Sequence, residues 1–183
     1  MRIAIPLLST IISFVFFLSL GSQACGGSSI SAAIEDHPDT MNPHGSRAVS
    51  NLSIAANLFD GLMQRKGSDG MINPALAVHH EHPDPLTWVF YLRKGVKFHN
   101  GNAFTAEDVT YSLERLSDPR FSHFTTLATD IASSEIIDDY AVVIKTKQPI
   151  PWFIQSCHQL FIMDKESTEA RDPGEVELSL IHI

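Results

Sequence analysis

The hydrophobic positions of this chain begin as one long block and then break into short alternating and helical patterns. Ile3–Leu20 is almost uninterruptedly apolar, follows the positive Arg2, and gives way to the small-x-small triplet Ser22-Gln23-Ala24. That order reads as an export signal over residues 1–24. A membrane anchor is the competing reading, because the run approaches the ~20 residues needed to cross a bilayer. Pro6 and the small-residue exit favour the cleaved signal.

Beyond the block, Ile30–Glu35 reads as a short strand followed by a proline-broken loop through His44. Ile54, Ala55, Leu58, Phe59 and Leu62 make a helical stripe, with Gly61 placed to take the left-handed position that closes it. Asp69-Gly70 predicts a turn. Thr87–Leu92 concentrates aromatic and β-branched residues and predicts a strand, broken by Arg93-Lys94-Gly95. Val96-Lys97-Phe98 alternates, and Asn100-Gly101 tolerates the positive φ of a tight turn, so the chain doubles back. Thr105 is the expected N-cap of a helix starting at Ala106, with Glu107 and Asp108 at its positive end. Val109, Leu113 and Leu116 form its apolar stripe, Glu114 and Arg115 lie off it, and Asp118-Pro119 should end it. Glu135-Ile136-Ile137 and Tyr140–Thr146 read as paired strands around Asp138-Asp139. Pro149 and Pro151 then set off a last apolar stretch, Trp152–Met163. Alternating strands and helices without an internal repeat predict a mixed α/β class.

Charge narrows the function. The formal net charge is −8 with no basic run, which argues against nucleic acid as a partner. About 150 residues lie between the signal and residue 177, enough for one domain-sized unit. Cys25 stands just after the expected cut and is followed by Gly26-Gly27-Ser28-Ser29, a flexible tether over residues 25–29. That arrangement suits a lipidated first residue, although Ser22 occupies a position where lipoproteins usually have Leu. Export also allows a Cys25–Cys157 disulfide, which lipidation of Cys25 would forbid. Both alternatives place the chain outside the cytoplasm. The last six residues, Leu178–Ile183, match the translation of a transposon end used as a library adaptor, so 178–183 are read as a non-native tail and the chain as a fragment.

Catalytic signatures are missing: there is no Gly-x-Ser-x-Gly elbow, no His-Glu-x-x-His helix and no phosphate-cradling glycine loop. The chain is therefore read as a non-enzyme that needs no cofactor. His79-His80-Glu81-His82 is the metal candidate. On an extended segment His80 and His82 share one face and Glu81 takes the other, so two ligands converge where a closed site needs more. An extracytoplasmic metal-binding lipoprotein built on this cluster is the alternative function.

Leu86–Leu116, LTWVFYLRKGVKFHNGNAFTAEDVTYSLERL, resembles the signature region of the extracytoplasmic solute-binding proteins of family 5, the dipeptide and oligopeptide group that serves ABC importers. The resemblance extends over about Ile30 to Ala170: Asp39–His44 is similar to the family's early D-P-T-L-D-P-H segment, Asn57–Leu62 to N-I-Y-E-G-L, and Pro74–Ala77 to P-A-L-A. Phe161–Glu166 also resembles a family segment. It implies a two-lobed periplasmic-binding-protein fold of the second type, of which 30–177 would be the start of lobe I with its inserted subdomain. It implies a monomer that captures a small solute, foremost a peptide, and presents it to membrane permease subunits. Ligand contacts are implied at Ser46, Arg47, Ala48 and Val49, and at His123 and Phe124 in the loop after the signature helix. Peptide binders can hold an acidic residue where this chain has Arg47, and an arginine there would suit a carboxylate or phosphate instead. Because lobe I normally includes chain that returns from much later, the fragment alone is expected to fold poorly and leave apolar surface open.

Overall fold

Met63 to Asp84 carries three strands, of which the sequence pattern announces little; the aromatic strand that follows organises them. The structure is a computed structural model describing residues 37–38, 40–67, 69–122 and 125–169, all within the unit Ile34–Ile183. The expected signal, the Cys25 tether, the strand at Ile30–Glu35, His123, Phe124 and the 178–183 tail lie outside the described residues.

Helix α1 (Val49–Leu58) buries Asn51 and Ala55 and stops where Phe59 turns extended, at φ −128° and ψ 146°. The expected closure by Gly61 does not occur. Gly61 keeps a negative φ and pairs with Phe161 in an antiparallel bridge, while Leu62 leaves the helix to enter the core. What Gly61 supplies is closeness: a Cβ there would stand 2.8 Å from the Cys157 carbonyl oxygen and 3.1 Å from that of Met63. Gly61→Ala is therefore expected to cost about 1–3 kcal/mol through forced backbone movement, read as a lower urea midpoint at constant slope.

A hairpin follows, β1 (Met63–Lys66) against β2 (Met71–Pro74), antiparallel. Its turn contains the expected Asp69-Gly70, with Gly70 at φ 69° and Met71 N–H donating to Asp69 Oδ1 at 3.2 Å. The main sheet holds β3 (Ala77–Asp84), β4 (Thr87–Leu92), β5 (Ile131–Asp138) and β6 (Ala141–Thr146) in the order β3-β4-β6-β5, every pair antiparallel. Trp88, Phe90 and Leu92 point into the core with period two, and Phe90 sits opposite Val142.

Helix α2 (Ala106–Ser117) begins at the expected residue behind a Thr105–Asp108 capping box, in which Thr105 N–H donates to Asp108 Oδ2 at 2.8 Å. Its stripe of Val109, Leu113 and Leu116 is buried. Arg115, placed off the stripe by the sequence, is buried as well, 7% exposed, with its guanidinium 4.4 Å from the Phe121 ring centroid. Three short helices complete the elements of the described residues: α3 (Thr125–Asp130), α4 (Phe153–Ser156) and α5 (Lys165–Glu169).

The expected α/β class is the observed one. Phe90, Phe104, Phe153, Leu62, Ile144 and Ile162 centre the core, and a smaller cluster joins Ala55, Phe59, Phe161 and Met163. The late segment is fastened by polar groups: Asp164 accepts from Asn100 and Asn102, Ser112 Oγ accepts from Met163 N–H, and Asp108 Oδ1 accepts from Lys165 N–H. Burial raises the Asp108 carboxyl above its ordinary range, against those hydrogen bonds. Cys157 is a free, enclosed thiol that donates to the Phe153 carbonyl, and burial pushes its pKa up.

Candidate functional site

Residues 42–46 form a tied loop whose side chains hold its own backbone. His44 N–H donates to Asn42 Oδ1 at 3.1 Å, Asn42 Nδ2 donates to the Phe121 carbonyl at 3.1 Å, and Asn51 Nδ2 reaches the Thr40 carbonyl at 2.7 Å. The His44 ring is fully buried, with Nε2 2.9 Å from the Phe161 carbonyl. Ser46 is buried and accepts from Ala48 N–H at 3.3 Å, so its hydroxyl serves the turn. Ala48 is the residue before α1, and Val49 is 79% exposed.

This fixed loop ends in an exposed Arg47, which reaches the wall of a cavity of about 200 Å³. Leu127 and Asp130 of α3 form a second wall; Trp152, Ser156 and Gln159 form a third. Neither Arg47 nor Asp130 makes a side-chain hydrogen bond or ion pair with another described residue. Trp152 is 63% exposed, whereas its neighbour Phe153 is buried against Trp88 at 5.4 Å and so anchors the indole's position. Of the four loop residues named from the sequence, Arg47 alone lines the cavity. His123 and Phe124 lie outside the described residues, but the helix that begins after them supplies Leu127 and Asp130. Sequence reasoning missed Asp130, Trp152, Ser156 and Gln159. Trp152 opens the last apolar stretch of the sequence, and its exposure sets it apart from the buried residues that follow.

A larger hollow of about 400 Å³ at the start of α2 is a weaker candidate. Three of its charged groups are already engaged: Lys165 Nζ pairs with Glu107 Oε2 at 3.0 Å, and Asp108 accepts from backbone.

The histidine segment is β3, an edge strand. His80 and His82 do share a face, and both rings lie against Trp88, at 6.2 and 3.8 Å between centroids; Glu81 is on the other face, accepting from Tyr91 Oη at 3.2 Å. Partial burial, then the neighbouring His79 and His82, lower the His80 pKa. No group of three His, Cys, Asp or Glu able to hold a metal occurs among the described residues. Nor is any helix among the described residues long and apolar enough to cross a membrane.

Residues 71–177 match the middle region of the bacterial extracellular solute-binding proteins, family 5. The chain belongs to that family. Relatives of the family 5 chain include the periplasmic oligopeptide-binding protein OppA of Haemophilus influenzae, 31% identical over 136 residues that make up 64% of this chain and 25% of OppA. The transcriptional regulator SgrR of Pectobacterium atrosepticum is 31% identical over 130 residues, 69% of this chain and 22% of SgrR. The solved murein tripeptide binding protein MppA of Escherichia coli superposes with a TM-score of 0.71 at 26% identity, covering 81% of this chain and 33% of that one. The chain thus spans about a quarter of the length of the curated relatives it matches.

Proposed function

We propose that these residues belong to the extracytoplasmic solute-binding component of an ABC importer, which captures a small solute, foremost a peptide, and delivers it to a membrane permease. The carrying observation is the cavity beside Arg47, where an anchored loop presents a guanidinium that no other described residue engages next to an exposed indole. At about 200 Å³ it is smaller than the roughly 300–1,000 Å³ of a complete ligand site, as half of a cleft would be. The likeness to OppA and MppA, both periplasmic peptide-binding proteins, supports the same reading. SgrR shares the region, and the apolar leader Ile3–Leu20 favours export over regulation.

In this reading a second lobe supplies the facing wall, and contacts made by both lobes stabilise the closed state that the permease recognises. The cavity's groups are read as binding rather than reacting: Ser156 Oγ donates to the Trp152 carbonyl at 3.4 Å, and among the described residues no His or Lys lines the space to activate it. ATP is hydrolysed by partner subunits. The protein works as a monomer outside the cytoplasm, either free or held to the membrane by a lipid on Cys25. Calorimetric titration of the protein expressed from its whole locus tests this. Saturable binding of short peptides with a Kd on the order of 1 μM or tighter is expected. Binding of sugars in place of peptides would overturn the peptide assignment, and failure of every solute would overturn the solute-binding one.

A further inference from the structure

We infer that the outer face of the main sheet carries a second binding site, for a small aromatic carboxylate, in the hollow lined by Tyr91, Tyr140, Arg93 and Lys94. This hollow shares no residue with the cavity beside Arg47, so it stands whatever that cavity binds.

Period two along β4 sends Trp88, Phe90 and Leu92 inward and leaves Tyr91 on the other face, opposite Ala141 of β6. The space there is about 350 Å³, within the range of small-ligand sites, and Val78, 45% exposed, adds apolar surface to the two rings. Its walls are braced. His79 stacks on Tyr91 at 5.6 Å between centroids, and Tyr91 Oη donates to Glu81 at 3.2 Å. Leu92 N–H donates to the Tyr140 carbonyl at 2.8 Å, which ties the turn between β5 and β6 to the end of β4. Arg93 is fixed twice to the connection between β2 and β3: its N–H donates to the Leu76 carbonyl at 2.7 Å and its Nε to the Ala75 carbonyl at 3.1 Å. Gly95 follows at φ 79° and turns the chain straight after the two cations.

Charge selects the ligand. In a chain of net charge −8, Arg93 and Lys94 stand side by side, and neither forms an ion pair among the described residues. Asp138 lines the same hollow, yet its Oδ1 accepts from the Tyr140 N–H at 2.7 Å and neither cation pairs with it. Lys94 lies instead over the Tyr140 ring, its Nζ 5.3 Å from the centroid. Two cations against one carboxylate leave a positive surplus beside two aromatic rings. That surplus repels a metal ion or an amine. Inorganic phosphate would leave the rings and Val78 in water, and a neutral sugar would use neither cation. A carboxylate on an aromatic body uses every part: the terminal N–H groups of Arg93 and the Lys94 ammonium donate to the head, and the tyrosine rings take the body in offset or edge contact.

The test uses the protein from its whole locus and three probes: phenylacetate, its neutral counterpart phenylacetamide, and acetate, which keeps the charge and lacks the ring. Ligand-observed NMR titrations are run on wild type, Lys94→Glu, Lys94→Arg and Val78→Asp, each first shown to keep the wild-type melting temperature. Residues 78 and 94 are exposed, so these substitutions leave the core alone. Phenylacetate should saturate the wild type with a Kd on the order of 1 mM, and the other two probes should bind about fivefold more weakly or worse. Lys94→Glu and Val78→Asp, which each set a negative charge in the hollow, should weaken phenylacetate by about fivefold or more, whereas Lys94→Arg should keep it within about twofold. Failure of phenylacetate to saturate the wild type at about 10 mM overturns the site, as does unchanged binding by both charge variants, which would put the probe elsewhere on the protein. Equal binding of phenylacetate and phenylacetamide overturns the carboxylate assignment, and equal binding of phenylacetate and acetate overturns the aromatic one.

Discussion

Replacing Phe153 with alanine is expected to lower the unfolding free energy by about 3–5 kcal/mol, the largest single loss foreseen in this chain. The ring is 1% exposed and packs between Trp88 at 5.4 Å and Phe90 at 6.5 Å, on the inner face of the sheet. Its neighbours cannot collapse freely into the space, because Trp88 and Phe90 are held in register by β6 and the Phe153 backbone is tied through its N–H to the Ile150 carbonyl at 3.1 Å. The same substitution releases the anchor beside Trp152, so solute affinity should fall with stability although residue 153 lines no part of the cavity. Urea unfolding should show a lower midpoint at an unchanged slope. A loss below about 1 kcal/mol would mean that residues 150–160 are not secured by this ring.

Acid should unfold the protein earlier than its carboxylates alone require. Burial, opposed by the Phe161 hydrogen bond and aided by the nearby Arg115, lowers the His44 pKa from 6.5 to about 4. The Nδ1 atom has no hydrogen-bond partner, so a proton added there creates a buried donor with nowhere to donate. Between the two values the unfolded chain binds more protons than the folded one. Stability from this group is therefore complete above pH 6.5 and lost as the pH falls towards 4, by on the order of 3 kcal/mol in all. Asp108, raised by burial, acts in the opposite direction, and comparison with a variant separates the two. The stability difference between wild type and His44→Gln should shrink as pH is lowered from 7 to 4. A difference that stays flat would show that His44 titrates alike in the folded and unfolded protein, as it would if water reached the ring.

How much of this could be read from residues alone depended on whether local chemistry or distant pairing decides the outcome. Strand β4 and the start of α2 were legible because each carries its cause within a few residues: alternating aromatics in one, a Thr105–Asp108 cap in the other. The hairpin β5–β6 was announced by Asp138-Asp139, though β5 begins earlier, at Ile131, where polar serines hide its alternation. Strand β3 was not legible as a strand. Its His-rich, mostly exposed residues are extended because β4 offers them a ladder, and no propensity of their own requires it. Gly61 misled for a related reason: the carbonyl of Cys157 that excludes a side chain there is distant in sequence. Arg47 was visible through the family pattern around His44. Asp130, Trp152 and Gln159 join it only after the chain has folded, so no spacing rule could have grouped them.

The fasteners of the late segment also set the order in which this protein can become native. His44 is bonded to Phe161 across 117 residues, and Asn100 and Asn102 wait for Asp164 across 64 and 62. Closing such long loops is entropically slow, and the His44 loop and the Asn100–Asn102 turn lack these partners until residues 161–164 have been synthesised. A ribosome would emit most of this chain before those bonds could form, so the contacts that fasten its first half to its late segment are the last to be made.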